Sequence, residues 1–127
     1  MTWQWIDAAV VLAVHDQQLV EHGGSAGVRD MGLLESALAR PEQLAAYGDP
    51  DIFDLAATYA HGIARNHPFV DGNKRTAYVV CMLFLRLHQV QIKASGPDRV
   101  LVFEKLGKGE IDRDSLAAWL RMRELGA

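Results

Sequence analysis

From Ala77 to Leu85 the chain reads Ala-Tyr-Val-Val-Cys-Met-Leu-Phe-Leu, with no charged or strongly polar residue. A helix that is apolar all round has no solvent face and belongs inside a bundle. The run is too short to cross a bilayer, which takes about 20 apolar residues. It predicts a central helix. The residues before it are His67-Pro68-Phe69-Val70-Asp71-Gly72-Asn73-Lys74-Arg75, a polar loop that feeds the helix N-terminus.

That junction is suited to phosphate. The first turn of a helix has N–H groups without intrahelical partners, and its dipole is positive there, so it attracts anions. Gly72 permits a tight turn and a close approach to a ligand. Asp71 or Asn73 is a candidate N-cap. Lys74 and Arg75 add two cations that disfavour the helix end unless an anion offsets them. His67 is a candidate proton acceptor. Asp71 is a candidate Mg²⁺ ligand, with nucleotide phosphates and water completing the shell. Base, metal ligand and phosphate cradle within nine residues suit phosphoryl or nucleotidyl transfer. Taken singly, each has an ordinary explanation: Asp-Gly-Asn is a turn signal, and a lone His or a Lys-Arg pair is common surface. The conjunction carries the reading.

The rest of the chain fits a helical bundle. Thr2 is the candidate cap of a first helix from about Trp3 to Val20, with a stripe of Trp3, Ile6, Val10, Ala13, Val14 and Leu19. Trp3 and Trp5 would point apart on it. Gly23-Gly24 ends it, within a glycine-rich loop that runs to Gly27. Asp30 would cap a short helix from Met31 to Ala39, stopped before Pro41. Asp49 as cap and Pro50 at N1 would start a helix to about Asn66, buried along Ile52, Leu55, Ala56, Tyr59, Ala60 and Ile63. Phe69 reads as an apolar pin for the loop. Arg65 reads as a solvated helix-end cation in preference to a phosphate ligand. Val90–Lys93 looks extended, and Pro97 would open a helix over Asp98–Leu106. Asp112 would cap a last helix with Leu116, Trp119, Leu120 and Met122 on its apolar face. The fold class expected is all-α, a bundle around one apolar helix with a short extended segment. His61 and His67 are not spaced as ligands on one helix face, so no zinc site is expected.

His-Pro-Phe-x-Asp-Gly-Asn-Lys-Arg resembles the signature of the Fic/Doc superfamily, and its death-on-curing (Doc) branch above all. A second segment, Gly23-Gly24-x-x-Gly27-Val28-Arg29-Asp30-x-Gly32-Leu33-Leu34-Glu35-Ser36-Ala37-Leu38, also resembles a Doc-type signature. In Fic-like folds the corresponding region is a flap over the active site. The resemblance implies that Gly27, Val28 and Arg29 lie at the site mouth, where a target segment docks. The alternative is a structural loop, with Arg29 or Glu35 in ordinary ion pairs. His15 also matches Doc-like chains, and packing or hydrogen bonding is expected of it. The likeness covers nearly the whole chain.

The superfamily implies two chemistries, AMP transfer by most Fic proteins and γ-phosphate transfer by the Doc branch. Lys74 stands where many AMP-transferring members have a glycine that leaves backbone N–H groups open. Tyr78 stands where their longer motif has a second arginine, a bidentate clamp for the terminal phosphates. Both departures point to a Doc-type kinase using ATP and Mg²⁺. By resemblance, His67 is catalytic, Asp71 holds the metal, and Gly72, Asn73, Lys74 and Arg75 bind the nucleotide. The implied target is a Ser or Thr hydroxyl of the translation machinery, an elongation factor in the first place. The implied partner is an antitoxin acting in trans, because the inhibitory (Ser/Thr)-x-x-x-Glu-(Gly/Asn) helix of the superfamily does not occur in this sequence. AMP transfer and a non-catalytic antitoxin-binding module are the alternatives.

Composition adds limits. At 127 residues the chain suits a single domain, 1–127. A net charge of −3 gives no case for broad nucleic-acid binding. The one cysteine, Cys81, lies in the apolar run and reads as an inert core thiol. Met1-Thr2-Trp3-Gln4-Trp5 has no basic leader, so a cytoplasmic location without a membrane partner is expected.

Overall fold

The computed structural model describes residues 2–126. They form six helices and no strand: α1 (Ala8–His22), α2 (Met31–Tyr47), α3 (Ile52–Asn66), α4 (Asn73–Leu87), α5 (Gly96–Lys108) and α6 (Arg113–Arg121). The start points follow from capping. Asp7, Asp30, Asp51, Ser95 and Asp112 each accept a first-turn backbone N–H through the side chain. Only α4 lacks such a cap; its N-cap is Gly72, at φ 78°.

The all-α architecture matches the sequence reading, while several boundaries differ from it. The first helix starts at Ala8, not Trp3, because Asp7 takes the Val10 N–H and outcompetes Thr2 as a cap. Residues 2–7 instead form an extended strap. Trp3 and Trp5 both lie against Phe84, at centroid distances of 6.3 and 6.2 Å, so they do not diverge. The Ile6 N–H donates to the buried Tyr59 hydroxyl at 2.9 Å. The buried face of α1 is Val11, His15 and Gln18, whereas Val10 and Ala13 are exposed. Asp51 caps α3 in place of Asp49, through a reciprocal capping box with Asp54.

The second helix does not stop before Pro41 but runs through it to Tyr47. Proline has no N–H, so the Ala37 carbonyl loses its intrahelical donor. That turn is where α3 crosses. A Cβ on Gly62 would lie 3.0 Å from Ala37 Cβ and 3.3 Å from Ala37 O. Burial of Ala37, Leu38 and Pro41 against α3 offsets the missing bond. Gly62→Val should therefore lower stability by about 1–3 kcal/mol through overpacking, read as a lower urea midpoint.

The centre is shared by two helices. α3 buries ten of its fifteen residues and packs against α2, α4, α5 and α6. α4 packs against α1, α3 and α5. The expectation that Ala77–Leu85 has no open face needs correction. Ala77, Val80, Cys81, Phe84 and Leu85 are buried, but Tyr78, Val79, Met82 and Leu83 are half-exposed and floor a groove. Burial pushes the Cys81 thiol far up, as suits an inert core residue.

The extended piece at 90–93 is observed, and its partner is the C-terminal stretch. Lys93 N–H donates to Arg123 O at 2.8 Å, and Leu125 N–H to Gln91 O at 2.9 Å. Ser95 caps α5 from Gly96, so Pro97 falls inside the first turn. Met122 ends α6 and is 82 % exposed, so it is no part of the apolar face. No helix of the described residues is long and apolar enough to cross a membrane.

Candidate active site

The loop between α3 and α4 is held from all sides. α3 ends at His67, whose backbone is left-handed at φ 51°, ψ 55°. That conformation costs a non-glycine residue about 1 kcal/mol. Arg29 offsets it. Its Nε donates to His67 O at 2.7 Å and its Nη2 to Asn66 O at 2.9 Å, which satisfies the last carbonyls of α3. Residues 27–30 then run antiparallel to 68–70. Arg29 and Asp30 N–H groups donate to Pro68 O at 2.7 and 3.0 Å, and Val70 N–H to Gly27 O at 3.1 Å.

Phe69 is the pin the sequence suggested, only 1 % exposed. The His15 ring stacks on it at 3.8 Å and 7°. His15 Nε2 donates to the Asp71 carbonyl at 2.8 Å. The Asn73 side chain, also buried, closes the loop. Its Oδ1 accepts from Phe69 N–H at 3.0 Å, its Nδ2 donates to Phe69 O at 2.9 Å, and the same Nδ2 lies 3.2 Å from His67 Nδ1. An amide is the one side chain that answers both backbone groups of Phe69 at once. Asn73 therefore does not cap α4, and neither does Asp71.

Asp71 is exposed, and both its oxygens accept backbone N–H groups: Oδ2 from Ser25 at 3.3 Å and Oδ1 from Gly72 at 2.8 Å. Those two bonds, the Ser25 one first, hold its carboxyl below the usual range, and Arg75 and His15 add to the effect. The group is an ionised hard-oxygen donor at neutral pH. Each oxygen keeps a free lone pair, so a cation that takes the rest of its shell from phosphates and water fits it. Among the described residues, neither Lys74 nor Arg75 pairs with a carboxylate. The Lys74 stem lies over Gly107 of α5.

His67, Asp71, Gly72, Asn73, Lys74 and Arg75 all face one cleft of about 900 Å³. Gln18, Glu21 and His22 of α1, Tyr78 of α4, and Arg99, Phe103 and Glu104 of α5 are among its other lining residues. The uncapped end of α4 opens into it. A smaller groove of about 450 Å³ continues along α4 and shares Tyr78, Val79 and Arg99 with the cleft.

A family model described as Fic/DOC family matches residues 5–85. The chain belongs to the Fic/DOC family. The matched span begins inside the 2–7 strap and ends with the apolar run, and so takes in both Doc-like segments. Two curated relatives agree with it. "Toxin Doc" of Mycolicibacterium smegmatis is 42 % identical over 106 residues, 80 % of this chain and 81 % of that protein. "Protein kinase doc" of Escherichia phage P1 is 38 % identical over 112 residues, 87 % of this chain and 88 % of that one.

In this Fic/DOC chain Gly27, Val28 and Arg29 sit beside the motif loop, with Arg29 turned to the α3 end and not into an ion pair. Arg65 donates to Gly107 O at 3.1 Å, at the C-terminal end of α5 and away from the cleft walls. Arg99 is a cleft residue that no motif marks. Its Nη1 donates to the Tyr78 hydroxyl at 2.9 Å, its Nη2 to Ile92 O at 3.2 Å, and its Nε to Ala94 O at 3.1 Å. Tyr78 stands edge-on to Phe103 at 5.1 Å. No local sequence signal marks Arg99, because its partners come from α4 and from the 90–94 segment. Gln18 left a trace, as a polar residue in helical register with Val11 and His15.

Proposed function

We propose that this Fic/DOC chain is the toxin of a toxin–antitoxin pair. In this reading it moves the γ-phosphate of Mg-ATP to a Ser or Thr hydroxyl of a translation component, with an elongation factor as the leading candidate. One observation carries the chemistry: the uncapped N-terminus of α4, Lys74 and Arg75 share a cleft with His67 and an ionised Asp71. The names of the two relatives support the toxin and kinase parts of the reading.

Each residue has a task. The first-turn N–H groups of α4, with Lys74 and Arg75, bind phosphate oxygens and stabilise charge on the group in flight. Asp71 would hold Mg²⁺, which would supply charge neutralisation to the phosphates. His67 takes the hydroxyl proton of the target. Gly27 O and Arg29 N–H face residues 68–70, so the other edge of the flap, at the exposed Val28, is left for an extended target segment. Tyr78 favours γ- over α-phosphate transfer. It replaces the clamp arginine, and Arg99 fixes its hydroxyl. The antitoxin acts in trans, its tail folding into a groove of the toxin, for which the groove along α4 is the candidate.

The test is a mass shift. The purified chain is incubated with ATP, Mg²⁺ and a bacterial lysate, with the His67→Ala variant as control. A lysate protein gaining about 80 Da is the expected result. A gain of about 329 Da would mean AMP transfer, with the triphosphate bound the other way round. No gain with either protein would favour a binding module without turnover.

A further inference from the structure

The glycine-rich loop after α1 touches the chemistry at one point that neither the motif nor the flap accounts for. Ser25 N–H reaches Asp71 Oδ2, and Gly24 lies so close that a Cβ on it would sit 2.8 Å from that oxygen and 3.2 Å from Asp71 Cγ. Gly24 also has φ 117°, a conformation that side chains resist. Residues 21–30 are exposed throughout, so burial does not anchor this loop. Its fixed points are the pairing of 27–30 with 68–70, the Arg29 side-chain bonds to Asn66 and His67, and the Ser25–Asp71 bond.

We propose that the Gly24–Ser25 peptide is a positioning element of the cation site, fixing Asp71 Oδ2 while Gly72 N–H fixes Oδ1, so that the two remaining lone pairs face the cleft. The inference rests on the reading of Asp71 as the cation ligand. Its chemistry is general. A carboxylate on an exposed loop has free rotation about its side-chain bonds, and a ligand that must meet a small, strictly octahedral ion gains from having its plane set beforehand. Outer partners that orient a metal ligand typically contribute 10–100-fold in affinity. Here the partner is a backbone N–H, which no side-chain pattern announces. The glycine beside it gives room for the contact, since a Cβ there would collide with Asp71 Oδ2 and crowd Leu19 Cδ2 at 3.2 Å, so that the peptide or the carboxylate would have to move. His15 completes the hold from the opposite side through the Asp71 carbonyl. Asp71 is thus gripped at three atoms by α1, by the loop that follows α1, and by its own neighbour.

The test compares the affinity of the full chain for Mn²⁺·AMP-PNP with that for AMP-PNP in EDTA, by calorimetry. The ratio isolates what the cation contributes. Ser25→Pro removes the N–H, Ser25→Ala keeps it, and Gly24→Ala adds the colliding Cβ. The expected result is a ratio about ten-fold lower in Ser25→Pro and Gly24→Ala, an unchanged ratio in Ser25→Ala, and an unchanged metal-free affinity in all three. Gly24→Ala carries the test alone should Ser25→Pro melt early. Wild-type ratios in Ser25→Pro and Gly24→Ala, with the ratio lost in Asp71→Asn, would overturn the proposal and leave the cation site standing. Loss in Ser25→Ala equal to that in Ser25→Pro would also overturn it, by assigning the contact to the hydroxyl. An Asp71→Asn ratio equal to wild type would remove the cation reading itself, and this proposal with it.

Discussion

His67→Ala should lower transfer to the target by about 10²–10⁴-fold, the usual range for losing a positioned proton acceptor. Measured as label moved from γ-labelled ATP, the loss should fall on turnover and leave nucleotide affinity in place, because α4, Lys74 and Arg75 are untouched. Stability gives an independent check. His67 is left-handed at φ 51°, and alanine inherits that strain while glycine does not. His67→Gly should be as inactive as His67→Ala yet about 1 kcal/mol more stable than it. Full activity in either variant would remove His67 from the chemistry.

Phe69→Ala should be the most damaging single change to the loop, at about 3–5 kcal/mol of stability. The ring is almost fully buried and stacked on His15. Its loss opens a cavity against the His15 ring. In urea the midpoint should fall sharply with an unchanged slope. Activity should fail even in the fraction that stays folded, because the His15 contact that orients the loop is gone. Val70→Ala, one residue on, is the control. Val70 is 55 % exposed, and its replacement should stay within about 0.5 kcal/mol of wild type.

What the sequence revealed and what it hid have a common physical cause. Local chemistry was legible: the apolar run of α4, the capping role of Asp112, the pin at Phe69 and the grouping of His67 with Asp71, Lys74 and Arg75. These depend on neighbours in the chain. The buried face of α1 is not legible in the apolar pattern because it is built from Val11, His15 and Gln18. Two of those are polar and serve the loop and the cleft, so apolar periodicity pointed to the wrong side. The end of α2 was misread because Pro41 normally stops a helix, and only the packing of α3 on that turn shows why it does not. Asp51 was passed over as a cap because its reciprocal bond with Asp54 competes with a good Asp-Pro start. Arg29, Arg99 and Ser25 reach His67, Tyr78 and Asp71, which lie 38, 21 and 46 residues away. Their roles exist only once the helices have docked.

The bond between Asn73 and His67 also decides where a proton rests. Phe69 fixes the amide at both ends, so the hydrogen that Asn73 turns toward the ring meets Nδ1 as an acceptor. A neutral imidazole that accepts at Nδ1 carries its hydrogen on Nε2. To take a hydroxyl proton on Nε2, the ring must first shift its own hydrogen to Nδ1 and give up the contact with Asn73. One neutral hydrogen bond is worth about 1 kcal/mol, or roughly a five-fold factor in rate. For the proton-accepting role proposed for His67, the contact with Asn73 is thus a small added barrier, which a bound substrate favouring the lone pair at Nε2 would offset.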